Sequence, residues 1–153
     1  MTRSISAILV IGLTIALSGQ MTNFSGTWAL NPSRSTNLGV MAAMEDIVTI
    51  GQTPTRLTLT DRARMQGQES TRELHYDLTG QPVTNPGPMG DQNETIAKWA
   101  ANKLVVTWTS EGAVAGTKVV RTETRSLSAD GKTMTVESVR ATNAPIVMVF
   151  DKR

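Results

Sequence analysis

The 153-residue chain has no cysteine. That removes disulfides, thiolate metal sites and a cysteine nucleophile. Histidine occurs once, at position 75, so a histidine-rich metal centre cannot be built. Aromatics are few: three Trp, two Phe and one Tyr. Basic residues never run longer than two, and the formal net charge is +2, which argues against a nucleic-acid interface or a polybasic membrane patch. No apolar stretch approaches the ~20 residues of a membrane-spanning helix. The Gly-x-Ser-x-Gly elbow, the Ser-x-x-Lys nucleophile and the Gly-Lys-Ser/Thr ending of a phosphate loop are missing too. Nothing here points to a catalytic residue, a resident metal or a cofactor.

Threonine and valine are frequent instead, and they favour pleated strands over helices. The N-terminus is a separate matter. Arg3 precedes an apolar run over 5–17, and Ala16 and Ser18 then supply small residues in the spacing of a cleavage site. Positive, apolar and small-residue regions in that order predict a secretory signal peptide over 1–19, followed by one domain over 20–153 in an exported protein. Once the signal is cleaved, no membrane span is expected.

Along 20–153, β-prone runs alternate with turn chemistry. Nine strands are expected, over 26–31, 46–51, 56–60, 69–78, 94–99, 103–109, 117–127, 133–140 and 146–151. The segment 79–92 contains Gly80, Pro82, Pro86, Gly87, Pro88 and Gly90 and is expected to be a loop. Met41, Ala42, Ala43 and Met44 fit a short helical turn, acting as a lid or as a plug of one barrel end. Asp130-Gly131 is the strongest hairpin signal. Strands at this spacing without a long helix predict an all-β, antiparallel domain of eight or nine strands, a sandwich or a barrel; consecutive hairpins favour an up-and-down meander, and closing it into a barrel removes exposed edges.

Asn23-Phe24-Ser25-Gly26-Thr27-Trp28 resembles the opening of lipocalin-type barrels, whose first strand carries a Gly-x-Trp motif. The resemblance implies a lipocalin-like up-and-down barrel rather than a sandwich, in which Trp28 plugs the closed end and a basic residue from the end of the last strand, Lys152 or Arg153, packs on its ring. The Phe-x-Gly-x-Trp start, the Leu-Ser-x-Asp-Gly-Lys hairpin at 127–132 and the short C-terminal strand are also similar to small secreted bacterial proteins.

The candidate site follows from alternation on the last long hairpin. Val119, Arg121, Glu123, Arg125 and Leu127 share one face of their strand; Met134, Val136, Ser138 and Arg140 share a face of the next. A two- or four-residue loop aligns Leu127 with Met134, whereas a three-residue loop with a bulge shifts the register by one. If those two point inward, then Arg121, Glu123 and Arg125 line the interior with Arg140 near. Arginine suits an anionic head group because its planar fork makes two parallel bonds to a carboxylate. The alternative is a salt-bridge ladder on the solvated face. Trp99 and Trp108 flank one short turn, either packed together in the core or lining the cavity mouth, and Trp108 joins the candidate set. His75, with Glu73 and Asp77 on the same strand face, reads as an ordinary surface or rim histidine.

The expected function is that of a non-enzymatic binding protein holding a small apolar or amphipathic, possibly anionic, molecule. A structural envelope domain with a packed interior is the alternative, and a cavity above about 300 Å³ distinguishes the two.

Overall fold

A computed structural model describes residues 21–88 and 90–153. The expected signal peptide at 1–19 lies outside the described residues.

Ten strands, not eight or nine, form one antiparallel meander: β1 (Gly26–Leu30), β2 (Glu45–Gln52), β3 (Arg56–Met65), β4 (Gln68–Asp77), β5 (Val83–Pro86), β6 (Gln92–Ala100), β7 (Lys103–Glu111), β8 (Lys118–Leu127), β9 (Thr133–Arg140) and β10 (Ile146–Lys152). The spatial order is β4-β3-β2-β1-β10-β9-β8-β7-β6-β5, so pairing of β1 with β10 rolls the sheet into a barrel that is nearly closed. The extra strand is β5, inside the segment expected to be a loop. Pro86 lies opposite Gln92 on β6, and β5 has a backbone ladder on that side only. Proline is tolerated there because an edge strand does not use its outer N–H.

Between β4 and β5 the ring lacks a backbone ladder, and a side chain takes its place. Asn85 is fully buried. The His75 N–H donates to Asn85 Oδ1 at 2.8 Å, and Asn85 Nδ2 donates back to the His75 carbonyl at 2.7 Å. The same amide nitrogen reaches Thr95 Oγ1 at 2.7 Å, whose hydroxyl donates to the Val83 carbonyl at 2.9 Å. One amide side chain thus offers β4 the donor and acceptor that a neighbouring strand would supply.

Alternation decides what goes inside. Phe24, Trp28, Leu57, Leu104 and Met134 are fully buried at one end. The Trp28 indole N–H donates to the Phe24 carbonyl at 2.9 Å, and Lys152 lies 5.2 Å from the ring centroid. It is therefore Lys152 that covers the Trp28 ring, while the Arg153 N–H is tied to the Thr27 carbonyl at 2.9 Å. Gly26 is required by this arrangement. Its φ is +141°, and a Cβ there would lie 3.0 Å from the Lys152 side chain.

The hairpin between β8 and β9 has the aligned register, with Leu127 opposite Met134 and Arg121 opposite Arg140. Asp130 Oδ1 accepts from Ser128 Oγ at 2.6 Å and from the Lys132 N–H at 3.0 Å, which holds the turn, and Gly131 takes φ +67°. At the opposite end from Trp28, the connection from β1 to β2 contributes two 3-10 turns, Pro32–Arg34 and Gly39–Ala43, the second crossing the mouth of the barrel.

Replacing Asn85 by Leu keeps the volume and removes the bridge, stranding the His75 backbone groups and the Thr95 hydroxyl. We expect a loss of about 2 kcal/mol or more in urea unfolding, together with faster hydrogen exchange at the His75 amide. Unchanged exchange at His75 would mean that the two edges hold without the bridge.

Candidate ligand-binding site

Between the packed end and the Gly39–Ala43 turn lies a cavity of about 1000 Å³, at the upper end of the ~300–1000 Å³ typical of small-molecule sites. The interior is therefore not filled by side chains, as the structural-domain alternative requires. Val48, Leu59, Leu74, Val136, Met148 and Phe150 give the cavity apolar walls. Val40, Met41 and Met44, on or beside the Gly39–Ala43 turn, complete the lining.

Two groups of charged side chains interrupt this lining. The first stands on β8, where alternate positions send Arg121, Glu123 and Arg125 inward. Glu123 serves both arginines: Arg121 Nη2 is 3.2 Å from Oε1 and Arg125 Nη2 is 3.1 Å from Oε2. Arg121 stacks 4.7 Å from the Trp108 ring centroid, and Arg125 lies 5.9 Å from that of Tyr76. Tyr76 and Trp108 meet edge to face at 6.1 Å. The aromatic faces thus hold the guanidinium planes in place. Burial works against the Arg125 charge, but the Tyr76 hydroxyl and the Glu123 carboxylate more than offset it, so the guanidinium is held in its charged form. Burial also pushes the Tyr76 hydroxyl far up, keeping it a donor. One buried and one largely buried guanidinium group facing one carboxylate leave a positive charge that the protein does not match.

The second group spans β2, β3 and β4. Arg72 Nη2 donates to Asp61 Oδ2 at 2.7 Å, a direct cross-strand pair. Asp46 sits diagonally from Asp61 across the β2–β3 ladder. Burial first, then the charge of Asp61 and a hydrogen bond to it, raise the Asp46 pKa to about 8; Arg72 and Arg125 pull the other way. The two carboxyl groups therefore hold a proton between them at neutral pH. Within the cavity, the guanidinium groups of Arg72, Arg121 and Arg125 then face the carboxylates of Asp61 and Glu123, and the interior is one positive charge in excess.

All five residues singled out in the sequence, Trp108, Arg121, Glu123, Arg125 and Arg140, line this one cavity. Arg140 is exposed and stands at the mouth. The arginines of β8 face inward, so a salt-bridge ladder on the solvated face does not describe them. Trp99 and Trp108 are not brought together: Trp99 stacks on Phe24 at 6.1 Å near the closed end. His75 is exposed on the outer face. Among the described residues, no group of three His, Asp or Glu side chains is placed to hold a metal ion.

Sequence reasoning missed Asp46, Asp61 and Arg72, although the signal was present. Extending inward parity from Val48 and Ile50 reaches Asp46; from Leu57 and Leu59 it reaches Asp61; from Leu74 and Tyr76 it reaches Arg72.

The fold is shared with lipid-binding barrels. Human cRBP IV superposes with a TM-score of 0.65 at 15% identity, over 86% of this chain and 99% of that one. The Schistosoma mansoni fatty acid binding protein in complex with arachidonic acid gives 0.65 at 15%, over 88% and 99%. The Caenorhabditis elegans lipid binding protein 8 gives 0.64 at 12%, over 88% and 100%. No family model matches the sequence, and no curated protein matches it.

Asp46 links stability to pH. Its pKa is about 8 in the folded chain against an ordinary 3.8, so the folded state binds the proton more tightly. The stabilisation from this group is complete below about pH 4 and disappears as the pH rises through about 8. The thermal midpoint should fall between about pH 5 and about pH 9, and Asp46→Asn should flatten that slope and raise the midpoint at the alkaline end. An equally steep decline in the variant would assign it to other groups. At such identities the likeness shows the fold alone: the chain is an antiparallel, nearly closed β-barrel of the same architecture as these proteins.

Proposed function

We propose that the protein is a non-enzymatic carrier of an amphipathic anion, with the apolar part of the ligand in the barrel and its anionic head group on the β8 arginines. The observation that carries this reading is the two-against-one arrangement of Arg121 and Arg125 about Glu123 on the wall of a cavity of about 1000 Å³. A ligand carboxylate supplies the missing negative charge, and the desolvation cost of the second guanidinium is then offset. The apolar walls, from Val48, Leu59 and Leu74 round to Val136, Met148 and Phe150, suit an alkyl chain.

The solved structures support the same class of ligand. One neighbour is described as a fatty acid binding protein holding arachidonic acid, and another as a fatty acid transporter. Both are binding or transport proteins, which favours carriage over catalysis. Arg140 at the mouth and Trp108 beneath Arg121 complete the anion-binding wall in this reading. We further infer that the carrier works outside the cytoplasm, in the periplasm or beyond. That inference rests on the signal-peptide pattern over 1–19.

The purified protein, titrated with a fluorescent fatty-acid analogue, should bind it saturably with a change in Trp emission, and an unlabelled fatty acid should displace it. Arg121→Gln and Arg125→Gln should each weaken binding about tenfold to a hundredfold, the usual range for a lost charge-assisted hydrogen bond. Displacement by the corresponding fatty alcohol should be much poorer. Affinity indifferent to both substitutions would remove the arginines from the site.

A further inference from the structure

The group formed by Asp46, Asp61 and Arg72 has no role in gripping a carboxylate, yet it is built into the same cavity. β3 and β8 lie five steps apart in the ten-strand ring in either direction, so this group faces the β8 arginines across the lumen. Asp46 is only 7% exposed. Apart from the proton that the two carboxyl groups share, three of the group's polar atoms are buried without a hydrogen-bond partner: Asp46 Oδ1, Asp61 Oδ1 and Arg72 Nη1. Buried polar atoms are seldom left unpaired, because each stranded group costs on the order of 1–3 kcal/mol.

We propose that the Asp46–Asp61–Arg72 group receives a hydroxyl of the ligand, so that the preferred cargo is a long-chain hydroxy acid rather than a plain fatty acid. This rests on the carrier reading and names its ligand more closely. The chemistry of the unpaired atoms selects the hydroxyl. With the carboxyl proton engaged between Asp46 and Asp61, a carboxyl oxygen is left to accept and Arg72 Nη1 to donate, and one hydroxyl, which donates once and also accepts, meets both. An ammonium group would satisfy the carboxyl oxygens but would meet the Arg72 guanidinium and leave its Nη1 unpaired. A second carboxylate would take the Arg72 donor but would be set against Asp61. A plain alkyl chain would satisfy none of the three. With the head group on β8, the hydroxyl belongs at whichever carbon reaches the opposite wall.

The test compares stearate with monohydroxylated stearates carrying the hydroxyl at successive carbons, each as a competitor of the fluorescent fatty-acid analogue. At least one position should bind about tenfold more tightly than stearate, the scale of a net hydrogen-bond gain in a buried site. That ratio should fall to about one in Asp46→Leu. It should survive in Asp46→Asn, whose amide still donates and accepts. If stearate binds and no hydroxylated acid binds better, the hydroxyl site is wrong and the carrier reading stands. If the preference exists but persists in Asp46→Leu, the hydroxyl is held elsewhere. If neither stearate nor any hydroxylated acid binds, both readings fall together.

Discussion

In a sheet that closes on itself, every strand has an inside and an outside, and the backbone gives each residue to one or the other by strict alternation. On β8 that constraint is decisive. Leu127 is pinned inward by its pairing with Met134, so Arg125, Glu123 and Arg121 must follow it into the lumen. The chain cannot turn these charges to solvent without also turning Leu127 out of the core. Burial of two guanidinium groups and one carboxylate is thus a consequence of register. The anionic head group proposed for the ligand descends from the charge this leaves unmatched.

The barrel tolerates such an interior because its two ends are built differently. Near Trp28 the side chains are apolar, fully buried and closed by the Lys152 contact and by Gly26, which leaves room for it. Folding free energy comes from this packed end. The other end carries the cavity, the ion pairs and the raised carboxyl of Asp46, none of which is favourable for the empty protein. The β4–β5 break falls between two edges that Asn85 fastens through hydrogen bonds alone. A binding site assembled from costly buried charges needs a stable part elsewhere in the chain to carry it.

Much of this could be read from the residues, and the failures have identifiable causes. Gly26-Thr27-Trp28 marked the closed end, and a terminal basic residue was expected over the indole; Lys152 fills that place. Asp130-Gly131 located the hairpin but left its register open between an even and a three-residue loop; the pairing of Leu127 with Met134 is the one that sends the β8 arginines inward. β5 was missed because Pro82, Pro86 and Pro88 weigh against a strand; that argument holds for a central strand and fails for an edge. Asp61 was missed because the third strand was ended at Thr60, where its apolar alternation stops; Asp46 and Arg72 lay within the expected second and fourth strands, but neither strand alone shows that they meet. The backbone ladder continues to Met65, and the alternation continues with it, now carrying polar residues. Their proximity depends on pairing β2 with β3 and β3 with β4 in one register, which composition does not encode.

The unmatched positive charge is most directly tested by calorimetry of an alkyl sulfonate, an anion that does not itself titrate near neutrality. Run near pH 8, where Asp46 is about half protonated, and in buffers of different ionisation heat, the titration counts protons taken up on binding. An anion seated by the β8 arginines cancels part of their field and favours the protonated form of Asp46. We therefore expect a fractional proton uptake per sulfonate bound, absent in Asp46→Asn. Sulfonate binding with no proton uptake, or with proton release, would contradict a lumen in which the anion and the Asp46 proton answer to the same arginines.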